Sequence, residues 1–89
     1  MKYAFRFTTH AQRQLRAIGQ VAALRILTAL TPLGADPYAD GLDVKKLSGH
    51  EGLYRLRAGD FRVIYEVHGE VLVILVVHIG NRRDVYRSI

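Results

Sequence analysis

Apolar and polar residues alternate with period two in "YAFRF" (Tyr3 to Phe7), the pattern of a half-buried β-strand. The period then changes. In "TTHAQRQLRAI", Ala11, Leu15 and Ile18 recur at i, i+4 and i+7, which predicts a helix with Thr8 or Thr9 as its N-cap. Gly19 punctuates that helix. Ala23, Ile26, Leu27 and Leu30 then give one apolar face to a second helix running from Gln20 to Leu30. Residues 31–43, "TPLGADPYADGLD", read as a loop by their Pro, Gly and Asp content. "VKKL" reads as either a short strand or an extended arm. Three strands follow at hairpin spacing, near 53–58, 61–68 and 71–79. Gly59-Asp60 suits a two-residue type II′ turn, because glycine tolerates positive φ at the first central position, and Gly69-Glu70 suits another. The order β-α-α-β-β-β predicts an α+β fold. Its N-terminal strand and helical hairpin pack on one face of a small antiparallel sheet.

The first of those turns fixes a register. With Ala58 facing Phe61, one face of the hairpin collects Tyr54, Leu56, Ala58, Phe61, Val63, Tyr65 and Val67, the natural seat for the helices. The other face collects Leu53, Arg55, Arg57, Arg62, Ile64, Glu66 and His68, with Arg57 directly across from Arg62. Like charges in that position are destabilising, by a few tenths of a kcal/mol to about 1 kcal/mol. Chance placement explains them, with Glu66 as a partial offset. The alternative is that they hold an anion, and guanidinium forks fit phosphate well. His78, by the same alternation, is expected on the core face opposite Phe61 as a packing residue.

Size and charge narrow the picture. A chain of 89 residues with 49% hydrophobic residues is expected to form one domain over 1–89 with a modest core. Without cysteine there is no disulfide and no thiolate metal site, and the four histidines (His10, His50, His68, His78) show no metal-pair spacing, so no metal or other cofactor is expected. The longest apolar run, Val71 to Ile79, has strand length, no membrane span or signal peptide is visible, and a cytoplasmic location is expected. Thirteen basic residues against eight acidic ones give +5, and residues 1–35 contain no acid. Such a balance points to a polyanionic partner, either nucleic acid or an acidic protein.

"GNRRDVYRSI" adds Arg82, Arg83 and Arg87 around Tyr86, after the last strand. A tyrosine among arginines either stacks on a nucleobase or anchors the chain end. Arg83 and Asp84 also form a possible local ion pair of little consequence at a surface.

These stretches, "VKKLSGHEGLYRLRAGDFRVIYEV" and then "VLVILVVHIGNRRDVYR", closely resemble the RelE/ParE superfamily of bacterial toxins, on its RelE branch, over nearly the whole chain. The resemblance implies the RelE-like fold and a toxin held inactive by a cognate antitoxin. RelE-like members cleave messenger RNA in the ribosomal A site, whereas ParE-like members poison DNA gyrase. Carried over by position, Arg62 aligns with an arginine that binds the scissile phosphate, Arg82 with one assisting at the cleaved bond, and Tyr86 with a tyrosine that stacks on or orients a base. Lys45, Lys46, Arg55, Arg57 and Arg83 are implied to bind RNA phosphates. Two departures stand out. Arginines replace the lysines common at 55 and 57, removing the family's proton acceptor, and Asn81 replaces a histidine common before the Arg82 position. ParE-like relatives usually lack this combined set of arginines and the late tyrosine.

Metal-independent RNA cleavage needs the 2′-OH deprotonated, the phosphorane charge stabilised and the leaving 5′ oxygen protonated. Arginines supply the second need, but with pKa values above about 12 they are poor acids and bases. Tyr86, Glu66 and His68 are the remaining candidate bases.

Overall fold

A computed structural model describes residues 2–49 and 52–81. Strand β1 spans Ala4–Phe7, helix α1 Thr9–Ala17, helix α2 Gln20–Ala35, and strands β2 to β5 span Val44–Lys46, Leu53–Ala58, Phe61–His68 and Val73–Asn81. The five strands form one sheet in the order β1-β5-β4-β3-β2. The expected antiparallel sheet is in fact mixed: β1 pairs with β5 in parallel, Ala4 across from Val73 and Phe7 from Val76, and every other pair is antiparallel. The chain leaves β1 through the two helices, crosses to the far edge at β2 and returns strand by strand to β1. "VKKL" thus contributes a short edge strand.

Thr8 is the N-cap of α1, its Oγ1 accepting the Ala11 N–H at 3.1 Å. Gly19 joins the helices at φ 89°, a left-handed backbone that glycine adopts without a Cβ clash. Helix α2 runs five residues beyond the expected Leu30, through Pro32. Proline removes only its own N–H from the last turns, and the fully buried Leu33 and buried Gly34 draw that turn into the core. The buried stripe of α2 is Ile26, Leu30 and Leu33, at i, i+4 and i+7, which leaves Leu27 exposed rather than packed as expected.

The β3–β4 register is the expected one, including Ala58 with Phe61 and Arg57 with Arg62. Gly59 sits at φ 60° and Asp60 has no positive φ, which is the type II′ pattern. The second turn differs. His68 pairs with Val73, so residues 69–72 form a four-residue connection in which Leu72 takes φ 54° and its carbonyl accepts the Ala4 N–H. Pairing with β1 holds that conformation and starts β5 two residues later than expected. A bulge at Ile64/Tyr65 sets His78 across from Ile64 and Val76 across from Tyr65. His78 therefore lies opposite Ile64, not Phe61.

The helices cover the predicted face: Leu56, Ala58, Val63 and Tyr65 are buried with Ile26, Leu30, Leu33, Ile74, Val76 and Ile79, and Tyr54, Phe61 and Val67 pack against them. Burying each large aliphatic side chain contributes roughly 1.5–3 kcal/mol, so this layer holds the sheet rigid from behind. Among the described residues no helix is long and apolar enough to cross a membrane.

Candidate functional site

Period-two alternation on β2, β3 and β4 brings Lys45, Arg55, Arg57 and Arg62 to the sheet face away from the helices. Lys45 pairs with Arg55, Arg55 with Ile64, and Arg57 with Arg62, which in turn faces Gly80 of β5. The β5 residue directly across from Arg62 thus carries no side chain. Lys46, one residue on, alternates to the other face beside Tyr54, so the two lysines do not converge.

The face is cationic, but two of its three arginines are largely covered. Arg62 is only 6% exposed, and its Nη1 donates to the carbonyls of Gly59 and Phe61, both at 2.9 Å. The guanidinium folds back over the turn it follows. Asp43, just before β2, holds the other two arginines. Its Oδ1 lies 3.5 Å from Arg55 Nη2, its Oδ2 3.8 Å from Arg57 Nε, and its carbonyl accepts the Arg57 N–H at 3.0 Å. The Arg55 side chain is largely covered, and its buried Nε has no hydrogen-bond partner. Arg57 is the open member, with about half its side chain exposed.

Magnitudes decide what this means. An exposed ion pair contributes roughly 0–1 kcal/mol, the same scale as the repulsion between facing arginines. The Arg57–Arg62 rung is therefore tolerated without a bound anion. What the face offers chemically is donors: Arg55 retains a buried unsatisfied N–H, and Arg57 and Lys45 present cations to solvent. Asp43 went unrecognised from sequence, because its position depends on the pairing of β2 with β3 across a loop. "VKKL" aligned antiparallel with "LYRLR" is the signal that finds it.

Glu66 is held by His68, Oε1 to Nε2 at 2.8 Å, rather than by an arginine. It lies four residues along β4 from Arg62, a rise of about 13 Å, and diagonally across from Arg55 of β3, with His68 as the partner of its carboxylate. On the helix side, His78 Nδ1 is 3.2 Å from His10 Nε2 and 3.4 Å from Gln14 Nε2, while Gln14 Oε1 accepts the Ile79 N–H at 2.7 Å. Gln14 is thus oriented with its amide N–H toward the ring, also 3.5 Å from Nε2, which makes a ring nitrogen of His78 the acceptor. Burial and the neighbouring His10 both lower the His78 pKa. This clasp ties α1 to β5.

Arg82, Arg83 and Tyr86, the other predicted site residues, lie outside the described residues. Asn81 ends β5 across from Phe61, next to the Arg62–Gly80 pair.

Comparison with known proteins follows the same lines. Residues 5–86 match the family described as the ParE toxin of the type II toxin–antitoxin system parDE. The chain is 27% identical over 88 residues to the toxin RelG of Mycobacterium tuberculosis, covering 98% of this chain and 99% of that one. A chain of the archaeal RelE–RelB complex of Pyrococcus horikoshii aligns with TM-score 0.75 at 30% identity, over 92% of this chain and 97% of that one. A chain of the intact Escherichia coli RelBE complex aligns with TM-score 0.74 at 25% identity, over 89% and 95%. The chain belongs to the RelE/ParE superfamily of toxins of type II toxin–antitoxin systems.

Proposed function

We propose that this toxin is a ribosome-dependent endonuclease that cleaves messenger RNA in the A site without a metal and is neutralised by a cognate antitoxin. The observation that carries the reading is the cluster of Lys45, Arg55, Arg57 and Arg62 on the sheet face opposite the helices. The RelE–RelB complexes among its structural relatives support an antitoxin partner. Arg57 and Lys45 attract the RNA backbone, and Arg55 and Arg62 lie beside them as donors for the phosphorane oxygens; losing one such donor typically costs about 10²–10³ in rate. Reaching a phosphate requires Arg62 to exchange its turn carbonyls for phosphate oxygens, a trade of charge-assisted hydrogen bonds that the stronger anion favours. Arg82 stabilises the leaving oxygen, Tyr86 orients the base or accepts the 2′-OH proton, and Arg83 adds a phosphate contact. Since none of these arginines is an efficient acid or base, in-line positioning on the ribosome supplies much of the rate.

The test is translation of a defined message on purified ribosomes with chelator present, mapping the new 3′ ends. Cleavage within A-site codons, lost in the Arg57→Ala variant, is the expected result. Intact messages sink the reading.

The match to the ParE-toxin family favours a second reading, a gyrase-directed toxin without nuclease activity. It expects DNA-damage signalling with intact messages, and indifference to changes at Arg62 and Tyr86.

A further inference from the structure

Lys46, turned away from the arginines, faces a different feature. A cavity of about 330 Å³ opens between the loop after α2 and the edge strand β2, lined by Tyr38, Asp40, Leu42, Val44, Lys46 and Tyr54 among others. Its aromatic wall is a short ladder of rings. Fully buried Tyr65 stacks on Tyr54 at 5.7 Å and 20°, and Tyr54 meets Tyr38 edge-on at 6.3 Å and 67°. The ladder runs from the core to the surface, where Tyr38 is 62% exposed. Tyr38 is nonetheless placed: its N–H donates to Asp36 Oδ1 at 3.0 Å. An exposed ring backed by rings anchored in the core is a rigid stacking platform.

We propose that this cavity is a nucleobase subsite, in which a base of single-stranded RNA stacks on Tyr38 while its phosphate is held by Lys46. The inference rests on the reading of the arginine face as an RNA-binding surface and extends it around the sheet edge. Two observations favour RNA over an acidic protein segment. The cavity combines a stacking surface with a cation, the pairing used by sequence-tolerant single-strand binders. Finally, Lys45 and Lys46 are consecutive residues of an edge strand, one on the arginine face and one at the cavity. A strand crossing β2 therefore meets a cation on each side of the edge, and its base drops into the space behind.

The test measures binding of a fluorescein-labelled oligoadenylate, and of the same sugar–phosphate backbone without bases, to the intact chain by fluorescence anisotropy at low salt. Tyr38→Ala is expected to weaken oligoadenylate binding roughly tenfold and to leave the base-free strand unchanged. Tyr38→Phe, which keeps the ring, is expected to bind like the original chain. Lys46→Ala is expected to weaken both strands and to lower the salt-dependence slope by about 0.7. Thermal melts of each variant exclude unfolding as the cause. Equal oligoadenylate binding by Tyr38→Ala and the original chain, with Arg57→Ala still weakened, overturns the subsite and leaves the arginine-face reading standing. Equal loss on both strands also overturns it, since stacking needs a base. Unchanged RNA binding alongside weaker capture of an acidic partner protein overturns it in favour of a protein site. Absence of A-site cleavage by the original chain overturns the nuclease reading whatever Tyr38 does.

Discussion

Arg57 and Arg62 stand directly across from one another on neighbouring strands, yet their guanidinium groups end in different surroundings. Arg62 turns back onto the carbonyls of Gly59 and Phe61, and Arg57 reaches outward to Asp43. Divergence relieves the repulsion that the register imposes. It also separates the energetic roles of the two residues. Arg57→Ala is expected to change stability by less than about 0.5 kcal/mol, because half its side chain is in solvent. Arg62→Ala removes two charge-assisted bonds from a buried side chain and is expected to cost about 2 kcal/mol. Urea titration of both variants checks this, and equal midpoints contradict it. Any loss of toxicity in Arg62→Ala must be read against that stability change, whereas loss in Arg57→Ala reports function alone.

Asp43 neutralises part of the face that is proposed to bind RNA. Asp43→Asn keeps the shape and removes the anion. Stability is expected to fall by at most about 1 kcal/mol, as for other exposed ion pairs. Affinity for single-stranded RNA is expected to rise, with a steeper dependence on salt, because an internal competitor for Arg55 and Arg57 is gone. Weaker RNA binding in Asp43→Asn, at unchanged stability, shows instead that the carboxylate is needed to position the two arginines.

The strands that carry the site were legible because short strands with a two-residue turn leave little freedom. Gly59-Asp60 set the register, and alternation then sorted every β3 and β4 side chain by face. What alternation does not carry is where a long side chain ends. Alternation puts Arg62 on the face away from the helices, but its burial arises from the flexibility of its stem and from carbonyls supplied by the turn. The parallel β1–β5 pair, the bulge that moved His78, and Asp43 beside the arginines all depend on contacts distant in sequence. Pro32 does not end α2, since a breaker is overridden when the residue after it is drawn fully into the core.

The His78 clasp makes stability depend on pH with a definite sign. Burial, then His10, lowers the His78 pKa below its ordinary 6.5. The unfolded chain therefore binds the proton more readily than the folded one. Stability from this group is fully present above about pH 6.5 and declines as the pH falls from there toward the folded-state value. Urea midpoints at about pH 7.5 and about pH 5.5, above the range where carboxylates dominate, are expected to show the lower value in acid. His78→Gln is expected to flatten the difference. His10→Ala is expected to reduce it only in part, since burial, the larger cause, remains. A midpoint that rises in acid contradicts the assignment of a neutral His78.

Tyr65 presents the reverse case, a polar group that the fold does not use. Its ring is fully buried against Tyr54, and its hydroxyl has no hydrogen-bond partner. Burial, followed by the nearby Tyr54 and Tyr38, pushes the Tyr65 pKa far up, so it stays a neutral phenol and never serves as a base. An unsatisfied buried hydroxyl costs about 1–3 kcal/mol in lost hydration, while the ring contributes its area whether or not the oxygen is present. Tyr65→Phe is therefore expected to raise stability by about 1 kcal/mol, read as a higher urea midpoint with an unchanged slope. If the stacking platform at Tyr38 depends on ring packing alone, oligoadenylate affinity in Tyr65→Phe stays at the original value. A destabilised Tyr65→Phe shows that the hydroxyl is satisfied in solution, and a loss of affinity without a loss of stability shows that it positions Tyr54.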